Sequence, residues 1–125
     1  INTKWPLNVL EITQRHIEGE RGSNVSELVA GSAVVEWEGK KYEIAGNGNG
    51  PLDSFANALN QTPVLDFDIL DFHEHSVGSG TGTQAIAYVQ IKLSDGRSAW
   101  GVGKSSNVGR AGIAAVVSAI NICYS

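Results

Sequence analysis

Residues 33–60, AVVEWEGKKYEIAGNGNGPLDSFANALN, and residues 87–121, AYVQIKLSDGRSAWGVGKSSNVGRAGIAAVVSAIN, follow one plan. Each runs strand, glycine turn, strand, Gly-x-Gly, and then an apolar helix ending in Asn. The second copy is longer, mainly around its helix start. Internal repetition at this spacing marks a duplicated supersecondary unit, and it constrains the fold more than any single segment does.

The periodicities agree. In the first copy Ala33, Val35 and Trp37 alternate with Glu36 and Glu38, and Tyr42 and Ile44 alternate with Lys41 and Glu43. In the second, Ala87, Val89, Ile91 and Leu93 alternate with Tyr88, Gln90 and Lys92. Alternation of this kind describes strands with one buried face. Glu38-Gly39-Lys40 and Ser94-Asp95-Gly96-Arg97 supply the glycine that tight hairpins need at positive φ. Leu52, Phe55, Ala56 and Leu59 share the helical i, i+3, i+4, i+7 spacing with Ile113, Val116, Val117 and Ile120, giving one apolar stripe each. Pro51 suits a first helical turn, Asp53 complements the positive helix end, and Ser105, Ser106 and Asn107 offer caps.

A third strand precedes each hairpin. In VLDFDILDFHEH (64–75), Leu65, Phe67 and Ile69 alternate with Asp66 and Asp68, after which the apolar phase switches to Leu70 and Phe72. The switch predicts a bulge near Ile69. Val9 to Glu18 is the weaker counterpart, and glycine-bearing loops follow at Gly19–Asn24 and Gly78–Gly82. The expectation is an α+β domain spanning residues 1–125, a duplicated β-β-β-α unit with antiparallel sheets and helices packed on one face. Its pseudo-symmetric halves are about 9–60 and 64–121. One such unit makes a thin core, so the halves should need each other and a second chain.

Bulk properties exclude several functions. Across 125 residues the formal charge is −4, and of the nine basic residues only Lys40 and Lys41 adjoin, which argues against nucleic acid. No apolar run approaches the ~18 residues of a membrane span, and no signal-peptide pattern opens the chain. Cys123 is the sole cysteine, as expected of a reducing, cytoplasmic setting, or an organelle if the source is eukaryotic. A start at Ile1 with no methionine anywhere reads as a piece of something longer.

Candidate chemistry is sparse. His73 and His75 point to one face of a strand and, with His16, could be drawn as a metal set, but a closed zinc site needs a fuller ligand shell; the expectation is no metal and no cofactor. Asp66, Asp68 and Asp71 read as a solvated face, and no catalytic constellation is present. Gly46-Asn47-Gly48-Asn49-Gly50 lacks the Lys-Ser/Thr ending of a phosphate loop. It still opens a helix, whose free N–H groups attract any anion, carboxylates included. The alternative is that the glycines only permit tight strand-to-helix turns.

Gly48-Asn49-Gly50-Pro51-Leu52, Leu70-Asp71-Phe72-His73-Glu74-His75, Gln84 to Val89, Trp100-Gly101-Val102-Gly103 and Ala115 to Asn121, taken in order, resemble the C-terminal regulatory domain of the 2-isopropylmalate synthase family. The resemblance runs from about Val9 to Asn121 and is nearest to the longer bacterial and fungal branch. It implies a parent acyltransferase that condenses acetyl-CoA with 2-oxoisovalerate on a barrel holding a divalent metal; the barrel is not in this sequence, so the piece alone should be inactive. It further implies a homodimer that binds leucine as feedback inhibitor. Carried onto this chain, the leucine site would comprise Asn49, Gly50 and Leu52, then Ile69, Phe72 and Ser76, then Thr83 and Ala85.

Three positions depart from the family's pattern. Phe72 stands where relatives often carry Tyr, and Ser76 and Thr83 where they carry Ala, so the pocket is smaller or more polar. Citramalate synthases have a related domain that responds to isoleucine, and an apolar pocket separates the two side chains by only about 1–3 kcal/mol. An isoleucine sensor, a dimerisation module without ligand and a small metal-binding domain therefore stand beside the leucine sensor.

Overall fold

The computed structural model describes residues 6–17, 28–62, 65–78 and 82–124. The chain runs β1 (Leu7–Ile17), β2 (Leu28–Trp37), β3 (Lys40–Gly48), α1 (Pro51–Leu59), β4 (Phe67–Val77), β5 (Gln84–Leu93), β6 (Ser98–Ser105) and α2 (Val108–Cys123). Two three-stranded sheets, β1-β2-β3 and β4-β5-β6, form in chain order with every pairing antiparallel. This is the duplicated β-β-β-α arrangement the repeat predicts. The loop expected at Gly19–Asn24 lies outside the described residues.

The turns explain the hairpins. Glu38 and Gly39 both take positive φ, 50° and 87°, as a two-residue primed turn demands. In the second hairpin Gly96 sits at φ 96°, and its N–H donates to the Leu93 carbonyl at 2.9 Å.

Each outer strand carries a bulge, between Val9 and Glu11 in β1 and between Ile69 and Asp71 in β4. The extra residues, Leu10 and Leu70, are half-exposed. Leu70 therefore does not join the switched apolar phase with Phe72, as its place in the sequence suggests. One added residue changes which side chains face inward. After the bulge Phe72 pairs with Val89, Glu74 with Ala87 and Ser76 with Ala85, so these three β4 residues share the face on which those buried β5 residues lie.

The glycine run also resolves differently from a simple turn. Gly46 and Gly48 belong to β3, and Gly101 and Gly103 to β6, each beneath the helix of its own half. A Cβ on Gly101 or Gly103 would overlap the α2 backbone at Ala111, Ala115 and Ala119, and one on Gly46 would lie 2.6 Å from the Ala58 nitrogen. The Gly-x-Gly pairs let a helix lie directly on a strand. Only Asn49-Gly50 connects β3 to α1.

The core draws on both halves: Val35, Phe55 and Leu59 from the first belong to one cluster with Val89, Ile91, Val116 and Ile120 from the second. Asn60, just past α1, bonds to the backbone of Phe67 at the start of β4, and Asn121 near the end of α2 bonds to that of Leu7 at the start of β1. The helix starts meet as well. Pro51 comes within 3.1 Å of where a Cβ on Gly109 would stand.

Candidate functional site

The site begins where α1 starts. Gly50 is the N-cap residue, extended at φ −168° and ψ 177°, with no side chain to cap the helix, and Pro51 follows as the first helical residue. The Ser54 N–H closes the first turn onto the Gly50 carbonyl at 3.0 Å, so Leu52 and Asp53 precede the intrahelical ladder. Among the described residues, its chain neighbours aside, nothing lies within 4 Å of a Cβ built on Gly50. The Asp53 carboxylate turns back and accepts the Asn49 N–H at 3.0 Å, which takes that donor out of use.

Beside this mouth lies an apolar junction. A Cβ on Gly112, in α2, would stand 3.6 Å from both the Leu52 Cδ1 and the Phe72 Cε2. Leu52 and Phe72 thus converge from α1 and β4 onto a helix position that only glycine leaves unfilled. Ile69 packs half-buried against the core further along the same face of β4.

The remaining expected residues spread away from the junction. Ser76 is exposed and pairs across the strands with buried Ala85. Exposed Thr83 lies just before β5, its Cα 3.5 Å from the position of a Cβ on Gly78. Gly78 holds φ 97° there.

Two features escaped the reading of the sequence. The first is Glu74. It lies on the inner face between Phe72 and Ser76, and its Oε2 is buried with no hydrogen-bond partner among the described residues. The signal was present: once the bulge at Leu70 resets the phase, every second residue after Phe72 faces inward. The second is the counterpart recess between β1 and the two helix starts, a cavity of about 310 Å³ bordered by Ile12, Gln14 and Pro51 from the first half and by Asn107, Gly109 and Ile113 from the second. Gln14 follows Ile12 in β1 as Glu74 follows Phe72 in β4, and its amide donates to the Pro51 carbonyl at 2.9 Å. Projecting the candidate residues through the repeat would have found it.

The outer faces of the two sheets differ. That of β4-β5-β6 carries Trp100 stacked on His73 at 6.1 Å and Tyr88 edge-on to His75 at 6.0 Å, with exposed Val102 beside Tyr88. That of β1-β2-β3 carries Glu11, Arg15, Glu36, Lys41 and Glu43. His73 also bonds to the Asp71 carboxylate at 3.1 Å. No group of three His, Cys, Asp or Glu residues gathers as a metal set among the described residues, and the His16 side chain lies outside them. No described helix is long and apolar enough to cross a membrane.

Two β-β-β-α units in tandem, each with its helix lying directly on strand glycines, define the class of fold to which the chain belongs. Residues 8–124 match the family model described as the LeuA allosteric (dimerisation) domain, and the chain belongs to that family. It is 41% identical over 117 residues to a 2-isopropylmalate synthase of Mycobacterium ulcerans, covering 93% of this chain and 20% of that protein. The same enzyme from Mycobacterium leprae is 37% identical over 116 residues, 93% of this chain and 18% of the relative. That from Helicobacter hepaticus reaches 49% over 81 residues, 65% of this chain and 14% of the relative. The matched stretch therefore spans a fifth or less of the length of these proteins.

Proposed function

We propose that this chain is the leucine-sensing, homodimerising part of a 2-isopropylmalate synthase whose catalytic barrel, with its divalent metal, belongs to the remainder of a longer protein. The parent would condense acetyl-CoA with 2-oxoisovalerate in the cytoplasm, and leucine would inhibit it by feedback. The observation that carries the reading is the meeting of Leu52 and Phe72 over Gly112, next to the start of α1, where the N-cap residue Gly50 has no side chain to cap the helix. Such a corner offers an amino acid both things it needs. Helix N–H groups favour its carboxylate, and the two side chains give its isobutyl group an apolar wall worth about 1.5–3 kcal/mol on full burial. Asn49 and Gly50 would border the carboxylate; Ile69, Ser76, Thr83 and Ala85 would extend the wall along β4 and β5.

Binding that favours one arrangement of the dimer would bias the attached barrels by a coupling free energy, typically about 1–3 kcal/mol. Calorimetric titration with leucine, isoleucine and valine tests the reading. Leucine should bind most tightly and raise the melting temperature. Tighter binding of isoleucine would move the assignment to a citramalate-type sensor. No heat with any of the three at millimolar concentration would leave a dimerisation module without ligand.

A further inference from the structure

We propose that Glu74 is the receptor for the α-ammonium group of the amino-acid effector, an inference that rests on the amino-acid-sensing reading above. A carboxylate oxygen sealed from water without a hydrogen-bond donor is costly, and native proteins keep such groups where something completes them. The Glu74 Oε2 is in that state among the described residues. Its position is specific: one inward step along β4 from Phe72, opposite Ala87, which in turn pairs with Gly103 beneath the first turns of α2. The row leads away from the apolar junction, so a ligand with its side chain against Leu52 and Phe72 would direct its polar end toward Glu74.

The first half supplies the contrast. There Gln14, the second inward residue after the bulge, is a neutral amide that donates to the Pro51 carbonyl. Both places carry a polar side chain, but among the described residues it is the second half that leaves a buried carboxylate oxygen without a donor. A zwitterion has the matching parts, an ammonium for Glu74 and a carboxylate for the helix mouth. A fatty acid lacks the first and an alkylamine the second.

The test uses this chain and Glu74→Gln, titrated with leucine, with 4-methylpentanoate, which lacks the ammonium, and with 3-methylbutylamine, which lacks the carboxylate. The wild type should prefer leucine over 4-methylpentanoate by about tenfold or more, the scale of a hydrogen bond to a charged group. In Glu74→Gln leucine affinity should fall by about tenfold or more and that preference should shrink toward unity. Without ligand, Glu74→Gln and Glu74→Met should melt no lower than the wild type, because each removes the carboxylate whose Oε2 is buried without a donor among the described residues. Unchanged leucine affinity in Glu74→Gln overturns the proposal, as does a clear drop in melting temperature in both variants, which would mean that the chain itself pairs the carboxylate. Loss of dimerisation with leucine affinity intact also overturns it, in favour of a cation from a second copy. If the wild type binds no amino acid at all, it is the sensing reading that fails, a result visible before any variant is made.

Discussion

Asn121 completes the backbone of Leu7 from the far end of the chain. Its Oδ1 accepts the Leu7 N–H at 2.8 Å and its Nδ2 donates to the Leu7 carbonyl at 3.0 Å, both in the buried interior. Asn60 repeats the arrangement on Phe67, at 2.9 Å and 3.0 Å, in a half-buried setting. A side-chain amide carries a donor and an acceptor spaced like those of a peptide, so it can stand in for a neighbouring strand. Each helix thereby clamps the first strand of the other half.

Asn121→Ala should therefore destabilise the chain by about 2–6 kcal/mol, since it strands two buried backbone groups at about 1–3 kcal/mol each. Asn60→Ala should cost less, because water reaches that pair. Asn121→Asp keeps the acceptor but sets a carboxylate against the Leu7 carbonyl, and should be at least as damaging as Asn121→Ala. Denaturant unfolding of the three variants checks the order.

The two glycine classes should separate in the same measurement. Gly101→Ala places a methyl into the α2 backbone at Ala115 and Ala119, where no side chain can swing aside. The expected loss is about 1–3 kcal/mol or more. Gly50→Ser meets no atom of the described residues within 4 Å at its Cβ, its chain neighbours aside, on backbone any residue adopts, and adds a capping hydroxyl. Its stability should hold or rise by a few tenths of a kcal/mol. If the effector's carboxylate occupies the helix mouth, the new hydroxyl competes for the same N–H groups and leucine binding weakens. A Gly50→Ser variant that binds leucine as before would remove the carboxylate from that place.

How far the sequence told this in advance depends on what its residues report. Alternation and helical spacing are local, so the six strands, the two helices and the Asn107 cap were all legible; its side chain accepts the Arg110 N–H at 3.1 Å. The glycines at 46, 48, 101 and 103 were legible as important but not as strand residues beneath a helix, because close approach is a tertiary fact. The face of Glu74 was hidden by one residue: until Leu70 is known to bulge out, the reading of β4 beyond it has no fixed phase. The inter-half clamps appeared only as a terminal Asn in each repeat, and nothing local says what such an Asn touches.

Dimerisation makes a further prediction. We propose the aromatic outer face of β4-β5-β6 as the surface that pairs with a second copy, since it carries exposed rings where the outer face of β1-β2-β3 carries charges; Trp100, 44% exposed, is its largest side chain. Trp100→Glu should weaken self-association by tenfold or more, on the order of a hot-spot loss of 2 kcal/mol. Val34→Glu, on the outer face of β1-β2-β3 that also bears Glu43 and Glu11, should leave it unchanged. Sedimentation equilibrium across a range of concentrations distinguishes the faces. Equal dissociation constants for Trp100→Glu and the wild type would move the interface elsewhere.

Cys123 gives the pH prediction. Burial raises its thiol above the ordinary value of 9.0, and the Arg97 guanidinium only partly offsets that. Arg97 is itself tied down, donating to the Cys123 carbonyl at 2.8 Å and lying 4.5 Å over the Tyr124 ring. A thiol kept neutral is a poor nucleophile, so a disulfide reagent at pH 8 should label the folded chain more slowly than the urea-unfolded chain. The sign of the linkage follows from the same shift. Because the folded form holds its proton more tightly, the contribution to stability is complete below the unfolded value and is lost as pH rises through the folded one. Cys123→Ala should therefore flatten the decline in stability above pH 9, and an unchanged slope would show that the thiol is not responsible for it.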